Sequence, residues 1–443
     1  MKNNIAASIS ISSALLALVL TGCSGQIIAS QPEVNTVMET MTAMNTVETT
    51  VVATTLKPLK TTQPRLTSGT TCTTVELNED VIENKLYSMS LRDKIYQLFI
   101  VTPEELTGFN GIATEAGDMT EESIKLRPVG GIIYFSQNIE SWQQTYEMLF
   151  NTQKFAREAN DGVGIFTAVD EEGGSVARIA DKLGLYNSHD MEYYGEKEAY
   201  DEIYNLGSTI GTCMKDLGFN LNFAPVADVN INPDNELGSR IFSNDPEIVS
   251  EMTAQFVLGI ESTGVSATLK HFPGLGAGSG NTHEENVQIN RSYLELKDNE
   301  FKAFDGGIEA GVDFVMVGHQ VVSSALDKLP SDLSPTIINW LKIDNGFNGL
   351  IVTDSHCMGA ITNKYTSGEA AVLALKAGVD IILMPYDLEN AVDGILNAVS
   401  SGDITEERIN ESVRKILTQK HSMGLISLNS NEMTDDNEDY SLN

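Results

Sequence analysis

The chain has 443 residues, 41% of them hydrophobic, and a formal net charge of −34 at neutral pH. That length suits one large α/β domain with tails, and the apolar content is enough for a sizeable core. The charge excludes a nucleic-acid binder, which needs a basic face to displace counterions. It also excludes attachment to anionic lipid by charge, and it suits an outward-facing domain with neutral substrates.

The chain opens as a targeting segment. Lys2 supplies the positive charge, and Ile5 to Leu20 is mostly apolar but too short and Ser-rich for a membrane span. Residues 1–22 read as a signal peptide. It ends Leu20-Thr21-Gly22-Cys23, which looks like a bacterial lipobox, with small residues before a Cys that is lipidated after cleavage. Cys23 is then the lipid anchor, and the mature domain is extracytoplasmic, tied to a bacterial membrane by that anchor alone. The alternative is an ordinary secretory signal with an incidental Cys. Cys72, Cys213 and Cys357 are far apart and odd in number, so no disulfide framework is implied. No pair has metal-ligand spacing, and no metal is expected. Residues 23–75 are rich in Thr, Val, Ser and Pro and read as a tether. Residues 428–443 are polar and acidic and read as a disordered tail.

Between them, residues 76–427 form a repeating pattern. Eight apolar, β-rich runs recur: Gln97–Val101, Gly131–Phe135, Ile165–Val169, Leu221–Ala224, Ala267–Lys270, Phe314–Val317, Leu350–Thr353 and Ile381–Met384. Near-continuous apolar runs suit strands buried on both faces, hence a parallel sheet covered by helices. Helical stretches are expected at Asn78–Leu91, Ser141–Asn160, Lys197–Leu217, Pro246–Thr263, Leu294–Ala310, Pro335–Asn345, Ser367–Ala377 and Glu406–Lys420. Eight strands with helices between them predict a (β/α)8 TIM-like barrel as a single catalytic domain. The alternative is an open doubly wound sheet.

In a barrel the site lies at the C-terminal strand ends. The third run is followed by Asp170-Glu171-Glu172-Gly173-Gly174, and the fourth by Pro225-Val226-Ala227-Asp228 with Arg240 beyond. The fifth leads into Lys270-His271, the sixth into Gly318-His319, and the seventh into Asp354-Ser355-His356. One such residue alone reads as a helix cap or turn. Five strands with ionisable groups at the same end predict a shared pocket. After Lys270-His271 the chain breaks into Pro273, Gly274, Gly276, Gly278 and Gly280 before Asn281-Thr282-His283. Such a segment continues neither strand nor helix. It reads as a mobile loop that carries His283 back toward the Lys-His pair.

Three of these runs together resemble glycoside hydrolase family 3: Lys270-His271-Phe272-Pro273-Gly274 with a downstream His, Val169-Asp170-Glu171-Glu172-Gly173-Gly174, and Val352-Thr353-Asp354-Ser355. The branch is that of the bacterial β-N-acetylglucosaminidases of the cell-wall-recycling type, and the resemblance runs from Glu79 to Leu425. It implies an exo-acting, retaining β-N-acetylhexosaminidase that removes terminal N-acetylglucosamine from glycans or peptidoglycan fragments. Asp354 would be the nucleophile and form a covalent glycosyl-enzyme. Most retaining glycosidases place a second carboxylate roughly 5–5.5 Å away. This branch instead uses a His on the loop, which falls on His283. Asp170, Arg178, Arg240, Lys270 and His271 would hold the sugar, with Glu172 and Asp228 behind them. His319 could line the pocket or be a satisfied buried His, and His356 and Cys357 would pack behind the nucleophile. The partner is a carbohydrate substrate, the cofactor is none, and a monomer is expected.

Two positions depart from the family pattern. Asn281 stands where an Asp normally partners the catalytic His; it can still hold the ring but brings no charge. Leu275 stands where the family often has His. Two alternatives follow: a β-N-acetylglucosaminide phosphorylase, since a His lacks the carboxylate charge that repels phosphate, and a catalytically weak, lipid-anchored carbohydrate-binding protein.

Overall fold

All eight apolar runs contain strands in the computed structural model, which describes residues 71–426. The signal peptide at 1–22, the anchor at Cys23, the tether up to residue 70 and the tail at 428–443 lie outside the described residues. The first helix, Thr71–Ser88, begins inside the stretch read as tether. The strands are β1 (Phe99–Val101), β2 (Gly131–Ile133), β3 (Phe166–Val169), β4 (Leu221–Asn222), β5 (Thr268–Phe272), β6 (Phe314–Val317), β7 (Leu350–Thr353) and β8 (Ile382–Leu383). Every residue in them is buried, which is why the runs are apolar on both faces instead of alternating.

Neighbours pair in chain order and in parallel, and the sheet closes on itself. Strand β8 pairs with β1 through Phe99 and Ile382, and β1 through β4 follow in sequence. Strands β5, β6 and β7 form a second run. Parallel bridges join the two runs: Leu221–Ser266 and Val226–Lys270 between β4 and β5, and Val352–Ile381 between β7 and β8. Closure of all eight strands selects the (β/α)8 barrel over the open sheet. Inside, the rings of Phe166 and Phe314 meet edge to face at 5.5 Å. Lys420 is wholly buried against Phe166 and donates to Gln97 Oε1 at 2.7 Å. With no carboxylate beside it, burial pushes its ammonium down to about 7.

The covering helices start and stop on local signals. Trp142–Ala159 opens with a Ser141/Gln144 capping box, Pro246–Glu261 with Asp245 and a proline in the first turn, and Ser367–Ala377 with a Thr366/Glu369 box. The continuous helix expected at Leu294–Ala310 is two, Tyr293–Asp298 and Glu300–Glu309. Asn299 breaks it with φ −125° and ψ −80°. The break lets buried Glu300 form a two-point pair with Arg291, at 3.0 and 3.1 Å. Leu388–Ser401 is a helix the sequence reading did not expect.

Candidate active site

The strand ends deliver their side chains to one place. Asp170, Arg178, Arg240, Lys270, His271, His283 and Asp354 all line a single cavity of about 420 Å³. Asp170 and Asp354 are the first residues beyond β3 and β7, and Lys270 and His271 lie in the last part of β5. Arg240 closes a short 3-10 turn, Gly238–Arg240, after β4. Arg178 opens the helix Arg178–Leu183, just past a tight hairpin of Glu171–Gly173 and Val176–Ala177.

A charge lattice fixes the wall between β3 and β5. Lys270 Nζ lies 2.9 Å from Asp170 Oδ1 and 2.6 Å from Glu172 Oε1. Arg240 grips the same Glu172 with two bonds, Nε to Oε2 at 2.9 Å and Nη2 to Oε1 at 2.8 Å. Burial alone would raise the Glu172 carboxyl, but the Lys270 and Arg240 charges overcome it and hold it at about 2. Lys270 is likewise held above its ordinary range: burial opposes its charge, and Asp170 and Glu172 outweigh burial. Arg178 instead lies over the Phe135 ring, 6.0 Å from its centre, with a buried Nε that has no hydrogen-bond partner.

Asp228 does not face the cavity. It is fully buried and accepts from His271 Nδ1 at 2.8 Å, the His271 N–H at 3.1 Å and the Leu275 N–H at 2.5 Å. These bonds fix the imidazole and leave Nε2 for a ligand. They also give Leu275 its place, as a buried wall of the cavity.

Asp354 sits on a different support. Its N–H donates to Val317 O at 2.9 Å, extending the β6 ladder, and its Oδ1 accepts from the Ser355 N–H at 2.7 Å. Behind it lies a buried cluster. His319 Nε2 donates to Ser355 O at 2.8 Å, and its Nδ1 stands 3.1 Å from Asp332 Oδ1 as an ion pair. His356 Nε2 bonds the other Asp332 oxygen at 2.8 Å. Burial works against a charge on His319, yet Asp332, Asp354 and the Ser355 carbonyl push it up to about 9. The Asp354 carboxyl is in turn held below its ordinary value: burial opposes ionisation, and His319, His271, the Ser355 N–H and Lys270 outweigh it. His319 is therefore a cation behind the cavity and not a wall of it.

The loop that carries His283 is pinned. Thr282 gives its N–H and hydroxyl to Glu236, the hydroxyl at 2.8 Å. The Gly359 N–H reaches His283 O at 3.0 Å, and Asn286 reaches Ala360 O at 2.7 Å. Gly359 is needed for this approach, since a Cβ there would lie 2.8 Å from His283 O and closer still to Glu284 O. The loop read as mobile is thus held against the cavity by two neighbouring segments.

Two expectations need correction. Asn281 does not hold the His283 ring: its Oδ1 accepts from the His283 backbone N–H at 3.0 Å, and its amide turns to Glu284. A short polar side chain closes on its own turn more readily than it reaches a ring two residues on. Cys357 does not pack behind Asp354 but is exposed and lines the cavity, while His356 is buried and does not line it. Glu236 and Asp332 were missed. Glu236 lies four residues before Arg240 and lines the cavity, a position the strand-end rule could have reached. Asp332 sits in the short turn Ser331–Leu333, where nothing in the sequence marks it.

Among the described residues, no group of three or more His, Cys, Asp or Glu is arranged to hold a metal ion.

Residues 90–419 match the glycosyl hydrolase family 3 N-terminal domain. A β-hexosaminidase A of Pseudoalteromonas piscicida is 28% identical over 68% of this chain, which spans 54% of that relative's length. A β-hexosaminidase of Tolumonas auensis is 31% identical over 64% of this chain and 85% of its own. Among solved structures, a family 3 β-N-acetylglucosaminidase from Paenibacillus sp. str. FPU-7 superposes with a TM-score of 0.71 at 33% identity, covering 79% of this chain and 66% of that one. A barrel closed in chain order, an ionisable constellation at its C-terminal mouth and this match over most of the chain place the protein in glycosyl hydrolase family 3.

Proposed function

We propose that the chain is a retaining, exo-acting β-N-acetylhexosaminidase that hydrolyses terminal β-linked N-acetylglucosamine. The observation that carries this reading is that Asp354 and His283 line the same cavity as Lys270, Arg240, His271 and Asp170. Asp354 attacks the anomeric carbon; as that bond forms, the bond to the leaving oxygen breaks and His283 gives that oxygen its proton. His283 then takes a proton from water, which displaces Asp354 and releases the sugar with its configuration retained. Asp170 accepts from sugar hydroxyls, while Lys270, Arg240, Arg178 and the free His271 nitrogen surround the amino sugar. The test is an aryl β-N-acetylglucosaminide followed by proton NMR. Release of the β-anomer first supports the reading, and release of the α-anomer first, or no hydrolysis, refutes it.

In this mechanism His319 is a positioning residue. Its folded pKa lies above the free value of about 6.5, so its attraction to Asp332 and Asp354 is complete below that pH and lost as pH rises through about 9. kcat/KM is expected to fall above that point. With a dinitrophenyl glycoside, whose leaving oxygen needs no proton from His283, His319→Gln should lower kcat/KM at pH 7 by about tenfold to a hundredfold and remove the alkaline fall. An unchanged alkaline limb in the variant would show that another group sets it.

We also propose that Cys23 anchors the mature chain outside a bacterial cytoplasmic membrane. The support is the segment Lys2 to Cys23 itself. Cys23→Ala should release the protein from membranes; a variant that still sediments with them would count against it.

A further inference from the structure

A second cavity, of about 360 Å³, adjoins the catalytic one, and Cys357 and Met384 form walls of both. Its remaining walls include Glu104, Glu105, Phe109 and Asn110, from the segment that follows β1. The two carboxylates are fixed, not free to swing. Glu104 Oε1 accepts from the Ala113 N–H at 2.9 Å and from Asn138 Nδ2 at 2.8 Å. Glu105 Oε1 accepts from the Leu388 N–H at 2.9 Å. Oε2 of each has no hydrogen-bond partner among the described residues. Phe109 presents an exposed ring, and none of the lining residues is Lys, Arg or His. The charges acting on Glu105 from the neighbouring segments are Asp387 and Glu389, both acidic, and Arg127, which itself faces Glu389 at 3.9 Å.

A glycan with its terminal sugar among Asp354, Lys270 and Asp170 must send its leaving side out of that pocket. The adjoining cavity offers what a sugar ring uses: an aromatic face for its C–H surface and fixed acceptors for hydroxyl or amine donors. A carboxylate on that ring would meet two fixed carboxylates with no cation in the wall to offset them.

We propose that this cavity is the leaving-group subsite, and that it selects a neutral or amine-bearing sugar, as in chitin-type oligosaccharides, over a sugar that carries a carboxylate. The inference rests on the hexosaminidase reading above and narrows its substrate. The experiment compares kcat/KM of the full chain on diacetylchitobiose and on N-acetylglucosaminyl-β-1,4-N-acetylmuramic acid, with an aryl glycoside as the check on the reading itself. Chitobiose should be preferred by about tenfold or more at low salt. Glu105→Gln should cut that preference several-fold, and Phe109→Ala, at an exposed position, should raise KM for chitobiose several-fold. Equal or reversed preference in the wild type overturns the inference while aryl hydrolysis persists. So does a preference that survives Glu105→Gln. Loss of aryl hydrolysis in the wild type would instead refute the hydrolase reading, and this inference with it.

Discussion

Asp354→Asn is expected to lower kcat/KM toward an aryl β-N-acetylglucosaminide by about 10⁴ or more. The amide has nearly the shape of the carboxylate but cannot form the glycosyl-enzyme bond. The remaining machinery stays: the Glu172 lattice still holds Lys270 and Arg240, and Asp228 still orients His271. N-acetylglucosamine should therefore still bind, within a few-fold of wild type, when titrated by calorimetry. The amide is the better first variant than alanine. Alanine would open a gap beside the His319 cation, which already sits in a fully buried cluster with Asp332 and His356, and loss of fold could then pass for loss of chemistry. A variant that keeps near-wild-type turnover would remove Asp354 from the role of nucleophile.

His283→Ala is the second large effect, and its size should depend on the leaving group. General acid help is worth about 10²–10⁴ when the departing oxygen is basic. The loss should approach that range for an alkyl or sugar leaving group. For a dinitrophenyl glycoside, whose oxygen leaves as a stable anion, the first step needs no proton and the loss should nearly vanish from kcat/KM. Equal losses across a leaving-group series would show that His283 positions the loop and does not transfer a proton. The distinction is a real one here, since the His283 carbonyl is itself bound by the Gly359 N–H and Asn281 leaves the ring without a carboxylate partner.

How much of this was legible in the sequence differs by level. The barrel was, because eight strands buried on both faces leave eight apolar runs, and Phe314–Val317 and Leu350–Thr353 were bounded correctly to the residue. Strand ends at β4 and β8 were overrun, since Phe223, Ala224 and Ile381 are as buried as the strands they adjoin. The helix Leu388–Ser401 was missed although Asp387 caps it and Gly402 ends it. Its buried face, Leu388, Ala391, Val392, Ile395 and Ala398, keeps three- and four-residue spacing throughout, so this helix was legible and was overlooked. In the site, the residues at strand ends were found and those that support them across the chain were not. Asp332 lies in a turn and becomes significant only because the fold sets it between His319 and His356. Sequence order holds no trace of that meeting.

The net charge of −34 first served to exclude partners. In three dimensions it becomes specific: the catalytic cavity balances its carboxylates with Lys270, Arg240 and Arg178, while the adjoining one has Glu104 and Glu105 in its wall and no basic residue. Lys270 and Arg240 are paired there with Glu172 and Asp170, and Arg178 lines the same cavity.

The most direct measurement is capture of the glycosyl-enzyme. The full chain would be treated with a fluorinated N-acetylglucosaminyl donor that slows the second step, digested, and its peptides weighed. The proposed mechanism predicts one sugar adduct, on the peptide that contains Asp354, whose formation parallels loss of activity. A sugar attached elsewhere, or full turnover with inverted product and no adduct, would contradict it.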